Sequence, residues 1–447
     1  MVFFVQKLKN INHEMKERED VAMQNLLLKG GWVIDPSQKI NRLSDILISD
    51  GKIKKIQDKI EEENCKTIDV VGKYIVPGLI DMHVHFREPG YEQKETIETG
   101  SLAAIAGGFT SVVCMPNTNP VIDNVETLRL IQEKAKRASC HIYVMGSITK
   151  MLSGEELSPY SELKKEGIVA ITDDGKSVAN ARVLYEAMQQ AKELDLPVGV
   201  HCEDLDLVYD HSIHRGEVSQ KLHLSGIPAA AEEIRILRDI FLAEKTGVQI
   251  HIQHVSTKRG VEMIREAKKK GLKISCEVTP HHFTLTDAAV LKWGTYAKMS
   301  PPLRTSADVQ AIKQGLADRT IDAIATDHAP HTIEDKKTSL PEAANGIVGL
   351  ETALGLALTE LYHTGDMSLE AVIEKFTSTP ARILNIPKGT LKPGSDADIA
   401  VIDLEKQWTV DAEAFYSKGR NTPFDGRQLK GKAVMTIVSG EIRYSER

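Results

Sequence analysis

Pro77-Gly78-Leu79-Ile80-Asp81-Met82-His83-Val84-His85-Phe86-Arg87 is an apolar run that ends in two histidines one residue apart and an arginine two residues later. Residues 73–76 just before it read as a buried strand that extends to His83. Side chains on a strand alternate, so His83 and His85 share one side and Arg87 follows on it. Two imidazoles together at a strand end are half a metal site. Taken alone, they are equally well two ordinary surface or core histidines, so the rest of the chain must decide.

Outward from this stretch, apolar runs of four to seven residues alternate with helical segments of 10 to 20. The runs are 74–83, 111–114, 142–145, 168–171, 198–200, 248–252, 273–278 and 321–325, eight in all. The intervening stretches, such as 183–191, 229–243 and 261–270, are rich in Ala, Leu, Glu and Lys at helical spacing. Eight strand-helix units predict an α/β fold, a TIM-like (β/α)8 barrel over residues 77–384 with its site on the loops after the strands. A doubly wound open sheet is the structural alternative.

The flanks have a different texture. Short strands at 26–29, 32–34, 45–49, 53–56 and 67–71, with an Asp50-Gly51 hairpin turn, are matched near the other end by 396–402 and 434–438. Neither piece is large enough for a good core alone. Residues 25–76 and 385–447 are therefore expected to join in one small β-sandwich domain. Residues 1–24 mix charges with a few apolar residues, match no catalytic pattern and read as an extension; Met23 is a candidate natural start.

Composition excludes several functions. A net charge of −7 gives no reason to expect nucleic acid or an anionic membrane as partner. No apolar run approaches the ~20 residues of a membrane helix and no secretory signal is evident, so the expected location is the cytoplasm. Cys65, Cys114, Cys140, Cys202 and Cys276 are odd in number and lack any Cys-x-x-Cys pair, which argues against a disulfide framework or a thiolate zinc site.

If the barrel is right, chemistry must appear directly after the strands. Strand one ends in His83 and His85, strand four in Thr172-Asp173-Asp174-Gly175, strand five in His201, strand six in His254 and strand eight in Thr326-Asp327-His328-Ala329-Pro330-His331. Singly, His201 or His254 reads as a core histidine, and Asp173, Asp174 or Asp327 as a turn or cap residue. Jointly, four imidazoles and two carboxylates on one rim suit zinc or a similar divalent ion, and six candidate ligands suit two ions better than one. Such a pair lowers the pKa of a shared water and polarises a carbonyl, and a neighbouring carboxylate, for which Asp327 is the candidate, shuttles the proton to a departing nitrogen. The expected chemistry is hydrolysis, or its reverse, of an amide-like C–N bond.

These residues carry a resemblance. Residues 77–85 resemble the first-strand motif of the amidohydrolase superfamily. His83-Val84-His85-Phe86-Arg87-Glu88-Pro89-Gly90, Met115-Pro116-Asn117-Thr118-Asn119-Pro120, Ala325-Thr326-Asp327-His328-Ala329-Pro330-His331 and Gly346-Ile347-Val348-Gly349-Leu350-Glu351 resemble the dihydroorotases, type I in particular. The resemblance implies zinc-dependent, reversible cyclisation of N-carbamoyl-L-aspartate to L-dihydroorotate in pyrimidine synthesis. It implies one zinc on His83 and His85, a second on His201 and His254, Asp174 as the bridge, chosen over Asp173 by its spacing to His201, and Asp327 as metal ligand and proton shuttle. Expected substrate contacts are His85, Arg87, Asn117, Ser300, His331, Asn345 and Gly346, with Arg87 and Asn117 on the carboxylate. A homodimer is expected, and an association with aspartate transcarbamoylase stays open.

Arg87 supports this from physics alone: a small anionic substrate needs a local cation in an acidic protein, and a guanidinium forks onto a carboxylate. Two departures from the family pattern stand out. Ser300 replaces an asparagine that contacts the ring in many relatives, and in Pro341-Glu342-Ala343-Ala344-Asn345-Gly346 the usual proline and aromatic directly before the glycine are absent, which leaves that loop less obviously rigid. His281 and His282, after strand seven, read as structural. The nearest rival is a hydantoinase, dihydropyrimidinase or allantoinase; those relatives bridge their metals with a carbamylated lysine where this chain has Asp174, with Lys176 displaced. A rival of another class is a non-catalytic scaffold, which would have lost metal ligands.

Overall fold

The computed structural model describes residues 25–446; the expected extension at 1–24 and the candidate start at Met23 lie outside them. Sixteen strands are present among the described residues. The first five are β1 (Leu26–Asp35), β2 (Ile40–Ser49), β3 (Lys52–Gln57), β4 (Lys66–Asp69) and β5 (Tyr74–Pro77). Then come β6 (Leu79–Val84), β7 (Phe109–Cys114), β8 (His141–Gly146), β9 (Ala170–Thr172), β10 (Val198–Val200), β11 (Ile250–Ile252), β12 (Ile274–Val278) and β13 (Ala323–Ile324). The last are β14 (Ile399–Thr409), β15 (Gln428–Val438) and β16 (Glu441–Ser445).

Strands β6 to β13 lie in chain order in one parallel sheet. Its two edges meet where Val84 bridges His328 and the His85 amide donates to the His328 carbonyl at 2.9 Å. The Asp81 carboxylate strengthens this seam by accepting from the amides of both His83 and Thr326 at 3.1 Å. The sheet is thus a TIM-like (β/α)8 barrel, and every residue of β6, β7, β9, β10, β11 and β12 is buried, as strands covered on both faces must be. Helices such as Ala181–Glu193, Ala230–Thr246 and Lys258–Lys269 bury Leu184, Ile236 and Val261 against it.

The remaining strands form a second sheet from both ends of the chain, in the order β16-β15-β14-β5-β1-β2-β3 with β4 also on β1. The two runs expected at 26–29 and 32–34 are one strand, interrupted by a register shift at Gly30-Gly31. Ahead of the shift β1 pairs with β4, and beyond it with β5. The sheet therefore changes neighbours there and encloses its own core of Leu28, Val33, Ile46, Ile75, Ile399 and Ile437.

One expectation is revised. The run 74–83 is two strands: Tyr74–Pro77 pairs with β1 and β14 in the terminal sheet, and the barrel begins at Leu79. Gly78 makes the step between sheets, because a Cβ there would lie 2.0 Å from the Thr110 hydroxyl. No helix among the described residues is long and apolar enough to cross a membrane.

Candidate metal and substrate site

The ends of β6, β9, β10 and β11, with the segment after β13, bring His83, His85, Asp174, His201, His254 and Asp327 together. Asp174 sits in the middle. Its Oδ1 lies 3.3 Å from His83 Nε2, 3.4 Å from His254 Nε2 and 3.8 Å from His201 Nδ1, and its Oδ2 lies 3.4 Å from His85 Nε2. Asp327 Oδ1 is 2.9 Å from His85 Nε2 and 3.5 Å from His83 Nε2. Asp173 is engaged elsewhere, accepting from the amide and hydroxyl of Thr149. Arg87, His254 and Asp327 all have positive φ, at 63°, 33° and 49°, so the rim stores backbone strain where the side chains converge.

Two ligand triads share one carboxylate: His83, His85 and Asp174, and Asp174, His201 and His254, each with its atoms within 4.8 Å of one another. The donors fit cations on independent grounds. His83 Nε2 and Asp174 Oδ1 are buried and have no hydrogen-bond partner. Burial disfavours a charged His83, yet the carboxylates of Asp174, Glu277 and Asp327 hold its pKa well above the ordinary value. Burial likewise opposes charge on Asp327, and the imidazoles of His83 and His85 overcome it, keeping the carboxyl ionised. This surplus of buried negative charge calls for a counter-ion.

The imidazole tautomers also suit metal binding. His83 Nδ1 lies 2.6 Å from Glu277 Oε1, an acceptor, so Nδ1 carries a hydrogen and Nε2, which faces Asp174, is the nitrogen on which a cation would replace a proton. His85 Nδ1 lies 2.9 Å from Asn117 Oδ1, whose amide nitrogen donates to the Asp174 carbonyl, so Nδ1 carries a hydrogen here too and Nε2, which faces the Asp327 carboxylate, is the nitrogen a cation would take. Glu277 is fully buried on β12, and the surrounding imidazoles of His83 and His251 outweigh its burial and bring its pKa down to about 2. The chain reading had no role for it, although a carboxylate inside Ile274-Ser275-Cys276-Glu277-Val278 was a visible anomaly.

A cavity of about 300 Å³ opens over this cluster. Every expected substrate contact lines it: His85, Arg87, Asn117, Ser300, His331, Asn345 and Gly346. His83 lies behind, fully buried. The Ser300 hydroxyl is buried without a partner. Gly346 is required for its φ of 116° and because a Cβ would come within 2.5 Å of Ala329. Burial, with Arg87, Lys336 and Lys94 nearby, pushes His331 down to about 2, so it is neutral. Lys94 can only donate, and it faces His331 Nδ1 at 3.3 Å; the hydrogen is therefore on Nε2, which donates to the Asn345 carbonyl at 2.7 Å. His331 Nε2 then offers nothing to Arg87 Nη2 at 3.3 Å, and that end of the guanidinium stays open to the cavity.

The sequence reading missed Glu203 and His211, which also line the cavity. It also missed Asn421, a buried residue from the C-terminal region whose amide donates to the carbonyls of Ala329 and Gly346 and accepts from the His331 amide. His282 is tied to Thr279 and the Pro301 carbonyl.

A family model described as dihydro-orotase-like matches residues 72–260. The dihydroorotase of Pelotomaculum thermopropionicum is 50% identical over 422 residues, 94% of this chain and 99% of that relative. The chain belongs to the dihydroorotase family. A second dihydroorotase, from Syntrophus aciditrophicus, is 48% identical over 94% of this chain and 99% of its own length. Among solved structures, the L-hydantoinase of Arthrobacter aurescens superposes with a TM-score of 0.86 at 26% identity, covering 95% of this chain and 97% of that one. The dihydroorotase family thus shares its architecture with hydantoinases. At the end of β9, where the rival reading needs a lysine, the site has Asp174, and Lys176 is exposed.

Proposed function

We propose that this protein is a zinc-dependent dihydroorotase that interconverts L-dihydroorotate and N-carbamoyl-L-aspartate in pyrimidine biosynthesis. The observation that carries the reading is a guanidinium, Arg87, in the same cavity as the His and Asp cluster. Those relatives that bear the dihydroorotase name at about 50% identity support it.

His83 and His85 would hold one cation, His201 and His254 the other, with Asp174 shared and Asp327 adjacent. When bound, the cations would polarise the ring carbonyl and lower the pKa of a water. Arg87 receives the substrate carboxylate on its open Nη2, with Asn117 beside it, which fixes the ring over the cluster. Asp327, ionised and within reach of both His83 and His85, takes the proton of the attacking water. In hydrolysis a C–O bond forms at the carbonyl carbon, its bond to the ring nitrogen breaks, Asp327 returns the proton to that nitrogen, and the new carboxylic acid gives the second water proton to solvent, leaving a carboxylate and a ureido group. Cyclisation runs the same steps backwards with loss of water. Ser300, whose unpartnered hydroxyl belongs to the cavity lining, would contact the ring.

The test is dihydroorotate hydrolysis measured alongside metal content on one sample, with hydantoin and dihydrouracil as neutral rings. Turnover of dihydroorotate with one or two equivalents of zinc is expected. Preference for a neutral ring would return the assignment to the hydantoinases, and absence of both metal and turnover would favour a scaffold.

A further inference from the structure

Asn345 and Gly346 line the cavity at the end of a segment, 341–346, that belongs to no helix or strand. An irregular segment usually leaves its carbonyls to water. Here they are taken up by side chains. Lys298 Nζ donates to the carbonyls of Pro341 at 3.0 Å and Ala343 at 2.6 Å. Lys336 Nζ donates to Ala344 at 2.6 Å, and to the carbonyls of Thr295 and Lys298 at 3.2 Å. His331 takes the Asn345 carbonyl and Asn421 that of Gly346. The backbone adds two more ties, from the Ala344 amide to the Asp335 carbonyl and from the Gly346 amide to the Lys298 carbonyl.

The lysines are the unusual members. Both are only 1% exposed, and among the described residues no carboxylate lies within ion-pairing distance of either. A buried ammonium is costly, so it persists only where it has enough acceptors. Three carbonyls surround Lys336, and only the charged form has three hydrogens to give them. Burial, with Lys298, Arg87 and Lys94 adding like charge, brings Lys336 down to about 7, and burial brings Lys298 to about 8. Among the described residues one other lysine is comparably buried, Lys375 at 4%, and it donates to the Ile321 carbonyl away from this wall.

We propose that Lys298 and Lys336 are positioning residues: a buried two-lysine clamp that fixes the backbone of residues 341–346, and with it Asn345 and Gly346, against the substrate. The clamp supplies the rigidity that a proline and an aromatic would otherwise give this loop. It acts on alignment, where a displacement of about 1 Å is enough to lose ~100-fold in rate or binding.

The effect on substrate rests on the dihydroorotase reading; the effect on the backbone does not. Hydrogen exchange of amides 342–346 is measured in Lys298→Met, Lys336→Met and the control Lys375→Met, together with kcat and KM for dihydroorotate. Each clamp variant is expected to speed exchange at Ala344 and Gly346 at least ~10-fold, from the loss of a charge-assisted hydrogen bond, and to raise KM ~10-fold with kcat within ~3-fold. Lys375→Met is expected to lower the melting temperature and leave both readouts at wild type. Wild-type protection of the segment in both clamp variants overturns the clamp. If neither variant folds, Lys298→Gln and Lys336→Gln, whose side-chain amides are uncharged and can serve fewer of the carbonyls, give the same comparison. Faster exchange in a protein that does not turn over dihydroorotate would keep the clamp and remove the dihydroorotase reading.

Discussion

Replacing Arg87 by methionine keeps most of the side-chain volume and removes the charge and the fork. In the structure the guanidinium spends its Nε on the Pro330 carbonyl at 3.3 Å and has no acceptor in His331, so Nη2 is free to meet a carboxylate. Burial lowers its pKa, Asp327 and Asp174 oppose that, and an arginine stays charged in either case. A hydrogen bond to a charged partner is worth about 1.5–3 kcal/mol, so Arg87→Met should raise the KM for dihydroorotate ~10- to 150-fold. The control is dihydrouracil, the same ring without the carboxylate, assayed as a competitive inhibitor. Its inhibition constant should be unchanged, so that the preference for the carboxylate-bearing ring collapses toward unity. Arg87→Lys should fall between, because a point charge cannot fork. Metal content should match wild type in both. An unchanged KM, or an equal weakening of both ligands, would refute the assignment of Arg87 to the substrate carboxylate.

Other perturbations separate the parts of the site. His83→Ala or His254→Ala should lose bound metal and activity together, which metal analysis and turnover on one preparation will check. Asp327→Asn should lose activity while thermal unfolding of the metal-free protein stays close to wild type; full turnover would remove it from proton transfer. Glu277→Gln places an amide where His83 and His251 both need an acceptor, and cation affinity in a chelator competition should fall ~10- to 100-fold, with the His201 and His254 triad less affected. Far from the site, Asp396 is bonded to Lys388 and Lys52, which outweigh its burial and hold it at about 2 against an ordinary 3.8. A depressed carboxylate stabilises the fold above its unfolded pKa and loses that contribution as pH falls through the folded value. Chemical unfolding of the metal-free protein should lose about 1 kcal/mol between pH 4 and 2 on this account, after allowance for partial exposure, and Lys388→Met should lose less over that window.

The barrel could be read from the chain because parallel strands buried on both sides leave unbroken apolar runs, and because its chemistry falls directly after them. What the runs do not record is which sheet they join. Residues 74–83 look continuous, yet Pro77 still pairs with Ile399 in the terminal sheet and Leu79 already pairs with Phe109 in the barrel. The metal-ligand candidates carry local signals: His-x-His, Asp beside Gly, His at a strand end. Glu277 carried a weaker one, a charge in an apolar strand. Asn421 and Lys336 carried none, since their partners are set by tertiary approach across 92 and 38 positions of chain.

That division has a consequence for how one architecture serves related reactions. The ring of histidines and carboxylates sits on strand ends, which the barrel's hydrogen bonding fixes, and it specifies only that a carbonyl beside a nitrogen will be attacked. On the proposed reading, choice of ring falls to residues on the loops. Arg87 follows β6, Asn117 follows β7, His331 follows β13, and Asn345 and Gly346 stand on a wall tied down by Lys298, Lys336 and Asn421. The neutral His331 is central to the arrangement, because by donating to Asn345 it both braces that wall and leaves Arg87 uncommitted. His331→Ala should therefore act twice, loosening residues 341–346 and raising the KM for dihydroorotate, whereas His331→Asn, able to donate to the same carbonyl, should recover part of the backbone protection. If His331→Ala raised KM with exchange of 342–346 at wild-type rates, the imidazole would be a direct substrate ligand and the brace would belong to the lysines alone.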